Sequence, residues 1–335
     1  MQFGQLKRRE LITLFGGVAA WPLAARAQQA AKTPRIGFLI PGRSQPPDAA
    51  LKTVSGFLQG LHDLGYRDGQ NIVIERRFAE WNLDRLREFA AEMVRGNVEV
   101  IVTLSTPAAR AAKQATSAIP IVAIGMADPV ADDLVASLAR PGGNVSGTTF
   151  LGPELVAKRL QLLKEVVPGL SRVSALWHPH AYSERTMADL VKEVEAAART
   201  LGMQLQFAPA DSPDEIAGAL ATVIRERAEA LIVLPSPMLF GEYTRIASIA
   251  ANSRLPGAAR EFADAGGLMS YGVNLPDLAR QTATYVEKIL NGAKPAELPV
   301  EQPTTFEIVL NLKTAQELGL TVSRDVQLIT DDVIE

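Results

Sequence analysis

The sequence predicts an α/β protein made of two similar doubly wound parallel-sheet lobes joined by a three-crossing hinge, and three observations carry that expectation. From Arg35 onward, short β-branched runs alternate with amphipathic helical stretches, the pattern of βαβ units around a parallel sheet. The second half repeats the first: Arg172-Val-Ser-Ala-Leu-Trp177 aligns with Arg35-Ile-Gly-Phe-Leu-Ile40 at an offset of 137, and Leu201-Gly202 with Leu64-Gly65 at the same offset. Residues 229–237 then match 99–107 at an offset of 130, and Leu255-Pro256 matches Ile119-Pro120 at 136. Finally, 335 residues, 47% of them hydrophobic and 21% charged, suit a globular chain of two domains.

In chain order, residues 35–40 form the first strand. A helix over 50–64 places Leu51, Val54, Phe57, Leu58 and Leu61 on one face, and Gly65 is positioned to end it. Strands at 71–75, 99–104 and 120–124, with helices near 83–95, 107–116 and 130–139, complete one lobe. The expected division gives the first lobe residues 34–145 with about 270–299, and the second 146–269 with about 300–335. Gly- and Ser-rich stretches at 142–149 and 266–272, with the Pro-flanked stretch 298–303, are the expected crossings. Connections this thin allow the lobes to hinge.

Residues 1–27 read as a signal peptide. Lys7, Arg8 and Arg9 precede a 15-residue uncharged stretch, which is followed by the small-x-small site Ala25-Arg26-Ala27. The stretch is shorter than the roughly 20 residues a spanning helix needs. Cleavage is expected before Gln28, with export by the twin-arginine or the general secretory route and a periplasmic location. With no Cys after the cut, no lipid anchor follows, and the mature chain keeps 30 basic and 36 acidic residues. That balance, with no basic stripe interleaved with aromatics, excludes the electrostatic footprint of a nucleic-acid binder. Zero cysteines remove thiol catalysis, iron–sulfur clusters and disulfides together.

Signatures of catalysis are missing: the chain has no GxxxxGK[ST] loop, GxGxxG fingerprint, HExxH helix or GxSxG elbow, so neither an enzyme nor a cofactor is expected. His178-Pro179-His180 lacks a ligand-spaced acidic set and reads as loop histidines rather than a metal pair. Ser105 and His178 with an Asp form a nucleophilic triad on paper, the basis of a rival reading as an exported hydrolase. Ser-Thr-Pro before a helix reads first as an N-cap.

Ligands of open α/β sheets bind beyond the carboxyl ends of the strands, which places the cleft segments at 41–44, 105–107, 125–128, 177–180, 235–237 and 260–262. Ser105 and Thr106, at a helix N-terminus, are candidates for a ligand carboxylate. Asp128 and Glu261 are acids at strand ends, either solvated charges or partners for a cationic or hydroxylated group. Trp177 is a stacking surface or a core residue, and Tyr271 faces the cleft or the hinge core. His178 and Ser236 join the candidates by position.

The quoted residues also resemble a known family, the substrate-binding proteins of ABC transporters of the tryptophan/tyrosine type. The likeness spans nearly the whole chain and includes Leu64-Gly-Tyr66, Gly69-Gln-Asn71, Ile119-Pro-Ile-Val122, Asp128-Pro129, Arg140-Pro-Gly-Gly-Asn-Val145 and Gly266-Gly-Leu-Met-Ser-Tyr-Gly272, as well as the leader around Arg8-Arg9-Glu10. The resemblance implies a type I periplasmic binding protein fold, a ligand-capturing role, and an ABC permease with a separate ATPase subunit as partners. It also implies a small-molecule ligand, an amino acid with an apolar or aromatic side chain or a related carboxylate. A ligand-sensing receptor subunit is the alternative within the same fold. Departures from the family's pattern fall in the pocket segments, at Trp177-His178-Pro179-His180, Pro235-Ser-Pro237 and Leu255-Pro-Gly-Ala-Ala-Arg260.

Overall fold

The computed structural model describes residues 33–45, 50–152 and 154–335, so the expected leader and its cleavage site lie outside the described residues. Its first half runs β1 (Arg35–Ile40), α1 (Ala50–Asp63), β2 (Val73–Phe78), α2 (Leu83–Arg95), β3 (Val100–Leu104), α3 (Ser105–Ala115), β4 (Ile121–Met126) and β5 (Val145–Thr149). These five strands form a parallel sheet in the order β2-β1-β3-β4-β5. Strands β3, β4 and β5 are buried along their whole length, as a sheet covered on both faces requires. The edge strand β2 instead carries Glu75, Arg76 and Arg77, charges that keep an edge from pairing with another chain.

The second half runs α4 (Val156–Val166), β6 (Arg172–Trp177), α5 (Glu184–Thr200), β7 (Gln204–Pro209), α6 (Ile216–Arg225), β8 (Ala230–Val233), α7 (Pro237–Gly241), α8 (Tyr243–Asn252), β9 (Gly257–Ala259) and β10 (Met269–Gly272). After these come α9 (Leu275–Leu290), β11 (Glu307–Asn311), α10 (Leu312–Glu317), α11 (Arg324–Leu328) and β12 (Asp332–Ile334). The second sheet is ordered β12-β11-β10-β9-β8-β6-β7. Its run β7-β6-β8-β9-β10 has the topology of the first sheet, so the repeat in the sequence is a repeat in the fold. Strand β11 adds antiparallel to β10, and β12 pairs parallel with β11 to form the far edge.

Three passages link the sheets, each just beyond a segment expected to cross. The first leaves β5 at Thr149, and the second leaves β10 at Gly272 to enter α9, which packs on α1 against the first sheet. The third first runs beside β5, where the Glu301 amide donates to the Gly147 carbonyl and the Thr149 amide to the Glu301 carbonyl, and then joins the second sheet at β11.

Two expected elements differ. Residues 130–139 form turns rather than a helix, because side chains intercept the backbone: Asp128 Oδ1 accepts from the amides of Val130 and Ala131, and Ser137 Oγ exchanges hydrogen bonds with Arg140. Helix α3 begins at Ser105 itself, and its N-cap position, Leu104, supplies no side-chain bond. Ser105 is therefore not the cap that its place before Thr106-Pro107 suggests.

Close approach of α1 to α9 depends on Gly56 and Gly60, one turn apart. A Cβ at Gly56 would lie 2.2 Å from the Pro276 carbonyl oxygen, and one at Gly60 2.2 Å from that of Arg280. Gly60→Ala is expected to destabilise the protein by about 1–3 kcal/mol, the cost of overpacking a close contact. Urea denaturation would read this as a lower midpoint with an unchanged slope.

Candidate functional site

Between the two sheets lies a cavity of about 570 Å³, mouth included. The first half contributes Pro41 beyond β1, Leu104 and Ser105 at the junction of β3 and α3, Ile124 and Gly125 in β4, and Phe150 beyond β5. A register shift between Ala123 and Met126 bends β4 where Ile124 and Gly125 face the space, the use of a bulge to re-aim residues at a site. The second half contributes Arg159 on α4, Tyr182 ahead of α5, Pro235 to Pro237 beyond β8, Phe240 on α7, Tyr243 on α8 and Arg260 beyond β9. Trp81 and Leu275 complete the wall, which is apolar and aromatic apart from its serines, tyrosines and two guanidiniums.

Arg159 is the unusual member. Its side chain is 1% exposed, its Nε donates to the Tyr271 carbonyl at 2.7 Å, and its Nη2 is buried with no protein partner among the described residues. Desolvation pushes its pKa down to about 10 from 12.5, and the nearby Arg260 charge acts in the same direction. It still carries its charge at neutral pH. Arg260 is 8% exposed and lies over the Phe240 ring at 4.3 Å and the Phe150 ring at 5.4 Å. Its Nη1 donates to Glu261 Oε2 at 2.5 Å. Room for both arginines comes from Gly272, where a Cβ would lie 2.8 Å from Arg260 Cγ and 3.2 Å from Arg159 Nη2.

Backbone strain gathers at the same place. Trp81, Ser105 and Glu261 adopt φ of +65°, +72° and +53°, values uncommon for residues with a side chain. Trp81 is held there by its amide, which donates to the Pro41 carbonyl at 2.7 Å. Burial also raises the Tyr182 and Tyr243 phenols, which therefore remain neutral.

Of the residues singled out by sequence, Ser105 and Ser236 line the cavity. The others are placed nearby but occupied. Thr106 Oγ1 accepts from the Ala127 amide, and Asp128 is held in its own turn. Glu261 is bound to Arg260 and accepts from the Leu275 amide at 3.2 Å, while burial raises its pKa against the pull of Arg260. Trp177 tilts against Phe207 with ring centroids 5.3 Å apart, and Tyr271 offers Arg159 its carbonyl while its ring lies near Phe306.

His178 lines an adjoining, partly open pocket of about 610 Å³, open solvent included, that shares Pro41, Trp81 and Pro237 with the first. Its Nδ1 is 3.1 Å from Ser236 Oγ, and that oxygen caps α7 by accepting from the Leu239 amide. His178 Nε2 is 3.9 Å from Asp211, too long for a hydrogen bond, and Asp211 is bonded to His180 at 2.8 Å. The paper triad of Ser105 with His178 is not assembled, because the histidine turns to Ser236. No group of three metal-ligating side chains occurs among the described residues.

Sequence reasoning missed Arg159, Arg260 and the aromatic wall of Trp81, Phe150, Tyr182, Phe240 and Tyr243. One signal for Arg159 was available: it lies on the face of α4 that also buries Val156, Leu160 and Leu163, and a charge on an apolar helical face marks a buried polar site.

Several contacts cross the cleft. Arg43 pairs with Glu242, Lys52 with Asp264 at 3.1 Å, and the buried Asp132 accepts from the Ser183 amide at 3.0 Å and from Thr186 Oγ1 at 2.9 Å. The lobes are closed on each other.

Two lobes of repeated topology, three connecting passages and a buried cavity between them define a type I periplasmic binding protein fold. The chain belongs to the ABC transporter substrate binding protein family, whose model matches residues 46–334. It is similar to a tyrosine-binding protein of Clostridioides difficile (strain R20291), at 26% identity over 272 residues covering 80% of this chain and 77% of the relative. Among solved structures, an ABC domain from Streptococcus pneumonia in complex with L-Trp shares 27% identity at a TM-score of 0.79, covering 89% of this chain and all of that one. A ligand-free, open substrate-binding protein with adhesive properties from Clostridium difficile shares 26% identity at 0.63, covering 90% and 99%. With identity and coverage nearly equal, the higher score against the ligand-bound form agrees with the contacts across the cleft.

Two outcomes follow from this geometry. Ligand binding is expected to change tryptophan fluorescence in the wild type and in Trp177→Phe, and to lose most of that change in Trp81→Phe, since only Trp81 of this pair lines the cavity. Burial lowers His178 below its ordinary 6.5, with Asp211 partly opposing, so the unfolded chain takes up this proton first as the pH falls. The His178 contribution to stability is therefore full above about pH 6.5 and is lost as acidification passes through the lowered native value. Thermal melts of His178→Asn between about pH 7.5 and 5 are expected to show a shallower decline than the wild type.

Proposed function

We propose that this chain is the solute-binding component of an ABC importer that captures a small carboxylate with an apolar or aromatic body, an amino acid or a related organic acid, in the interlobe cavity. One observation carries this reading. The buried Arg159 guanidinium has an unpartnered Nη2 inside an aromatic wall, and a buried cation without a counter-ion calls for an anion. Ser105, from the first half, and Arg159, from the second, would hold the carboxylate between the lobes. A ligand that touches both lobes favours closure, whereas one with equal affinity for the open and closed forms shifts nothing.

The closed protein would present its bound solute to a membrane permease driven by a separate ATPase subunit, with no chemistry performed on the solute. The basic residues, apolar stretch and Ala25-Arg26-Ala27 site at the N-terminus support export to the periplasm with cleavage before Gln28. No helix among the described residues is long and apolar enough to cross a membrane.

Calorimetry with aromatic amino acids and their desamino acids tests the role of Arg159. Arg159→Met is expected to weaken any ligand bound by the wild type by about 3–5 kcal/mol, two to three or more decades in affinity. It is also expected to leave the melting temperature of the empty protein equal or higher, because removing an unpaired buried charge relieves a desolvation penalty. Wild-type affinity in this variant would overturn the carboxylate role of Arg159.

A further inference from the structure

We infer that the cavity selects a desamino acid, an arylalkanoate or similar monocarboxylate, over the corresponding amino acid; this rests on the carboxylate reading above and narrows it. Hydrogen-bonding capacity points first in this direction. Three residues of the wall have buried polar atoms with no protein partner, namely Arg159 Nη2, Trp81 Nε1 and Ser105 Oγ. The guanidinium and the indole N–H can only donate, and the serine hydroxyl can also donate. The unmet groups therefore ask for acceptors. A carboxylate supplies acceptors alone, whereas an ammonium supplies only further donors.

Charge leads to the same ligand. The described wall holds two cations, Arg159 and Arg260, and no carboxylate. Behind it, Glu261 is bound to the Arg260 guanidinium and to the Leu275 amide, which leaves the positive charge of Arg159 uncompensated. A monocarboxylate neutralises that charge. A zwitterion brings its own ammonium into the space, leaves the net charge where it was, and sets a third cation beside two guanidiniums in a medium that screens poorly.

Two of the aromatic faces are closed to the ammonium, because the Phe150 and Phe240 rings already carry Arg260 at 5.4 and 4.3 Å. Two other buried acids lie nearby. Glu242 is engaged by Arg43 and lies 3.7 Å from Arg245. Asp132 is paired with Arg110 at 3.2 Å and accepts from the Ser183 amide and Thr186 Oγ1 through Oδ1, while its Oδ2 has no partner among the described residues. The apolar walls then accommodate the body of the acid, with Ile124, Leu275, Tyr182 and Tyr243 among them.

Matched pairs test the inference by calorimetry at neutral pH on the purified protein: 3-phenylpropanoate against L-phenylalanine, 3-(4-hydroxyphenyl)propanoate against L-tyrosine, and indole-3-propanoate against L-tryptophan. Phenethylamine serves as the amine without a carboxylate. The expected result is affinity at least about ten-fold higher for the desamino member of each pair that binds, and no binding of the amine. Amino acids that bind as tightly as their desamino partners, or more tightly, would overturn the selection while leaving the carboxylate reading in place. If neither member of any pair binds up to about 1 mM, the carboxylate reading itself fails, and this inference fails with it.

Discussion

The cation that the fold buries between its lobes is the constraint around which the site is built. Taking a guanidinium out of water costs several kcal/mol unless it finds hydrogen bonds and a counter-charge. The protein supplies Arg159 with one backbone acceptor, the Tyr271 carbonyl, and leaves Nη2 open. Around it Gly272 gives up a side chain to make room, and Glu261 is committed to Arg260 rather than to Arg159. The arrangement is suited to an incoming anion. Empty and closed, the site holds a charge poorly; opening would let water reach it, and the proposed carboxylate would satisfy both the charge and the apolar wall in the closed form. On that reading, the difference would allow a ligand to shift the balance between open and closed lobes.

Closure draws on contacts far from the cavity as well. Arg43 with Glu242, Lys52 with Asp264, and Asp132 with Ser183 and Thr186 are spread over the facing surfaces. Asp132 meets the N-terminus of α5, where free amides and the helix dipole both favour a carboxylate. Exposed pairs such as Lys52 with Asp264 contribute little each, so they guide the fit of the surfaces more than they fix it. The strained backbone at Trp81, Ser105 and Glu261 adds a local cost that the surrounding packing must hold, and all three residues stand at or beside the cavity.

Much of this architecture was legible in the chain because it depends on local, periodic properties. Mostly apolar, β-branched runs mark β3, β4 and β8, and the matched runs at 35–40 and 172–177 reveal the duplication that the two sheets display. The cleft segments were legible for a topological reason, since loops beyond the carboxyl ends of parallel strands converge on one side of the sheet. Residues 130–139 misled because their apolar spacing suits a helix, while Asp128 and Ser137 satisfy the backbone locally instead. Within the cleft segments, neighbours are not separable by sequence: at 260–262 it is Arg260 that lines the cavity, with Glu261 bound to it behind the wall.

By itself, then, the sequence determined the two-lobed α/β plan, the internal repeat, the absence of catalytic signatures and the general position of the cleft. These follow from the order of apolar and polar residues along the chain, which constrains each element separately. Tertiary structure alone decided which side chains meet in the cavity. Arg159 comes from a helix rather than from a strand-end loop, its partner carbonyl lies 112 positions along the chain, and Ser105 faces the space through a backbone angle that its residue type disfavours. Burial of a charge is a property of everything packed around it, and those surroundings are assembled from both lobes only when the chain has folded and closed.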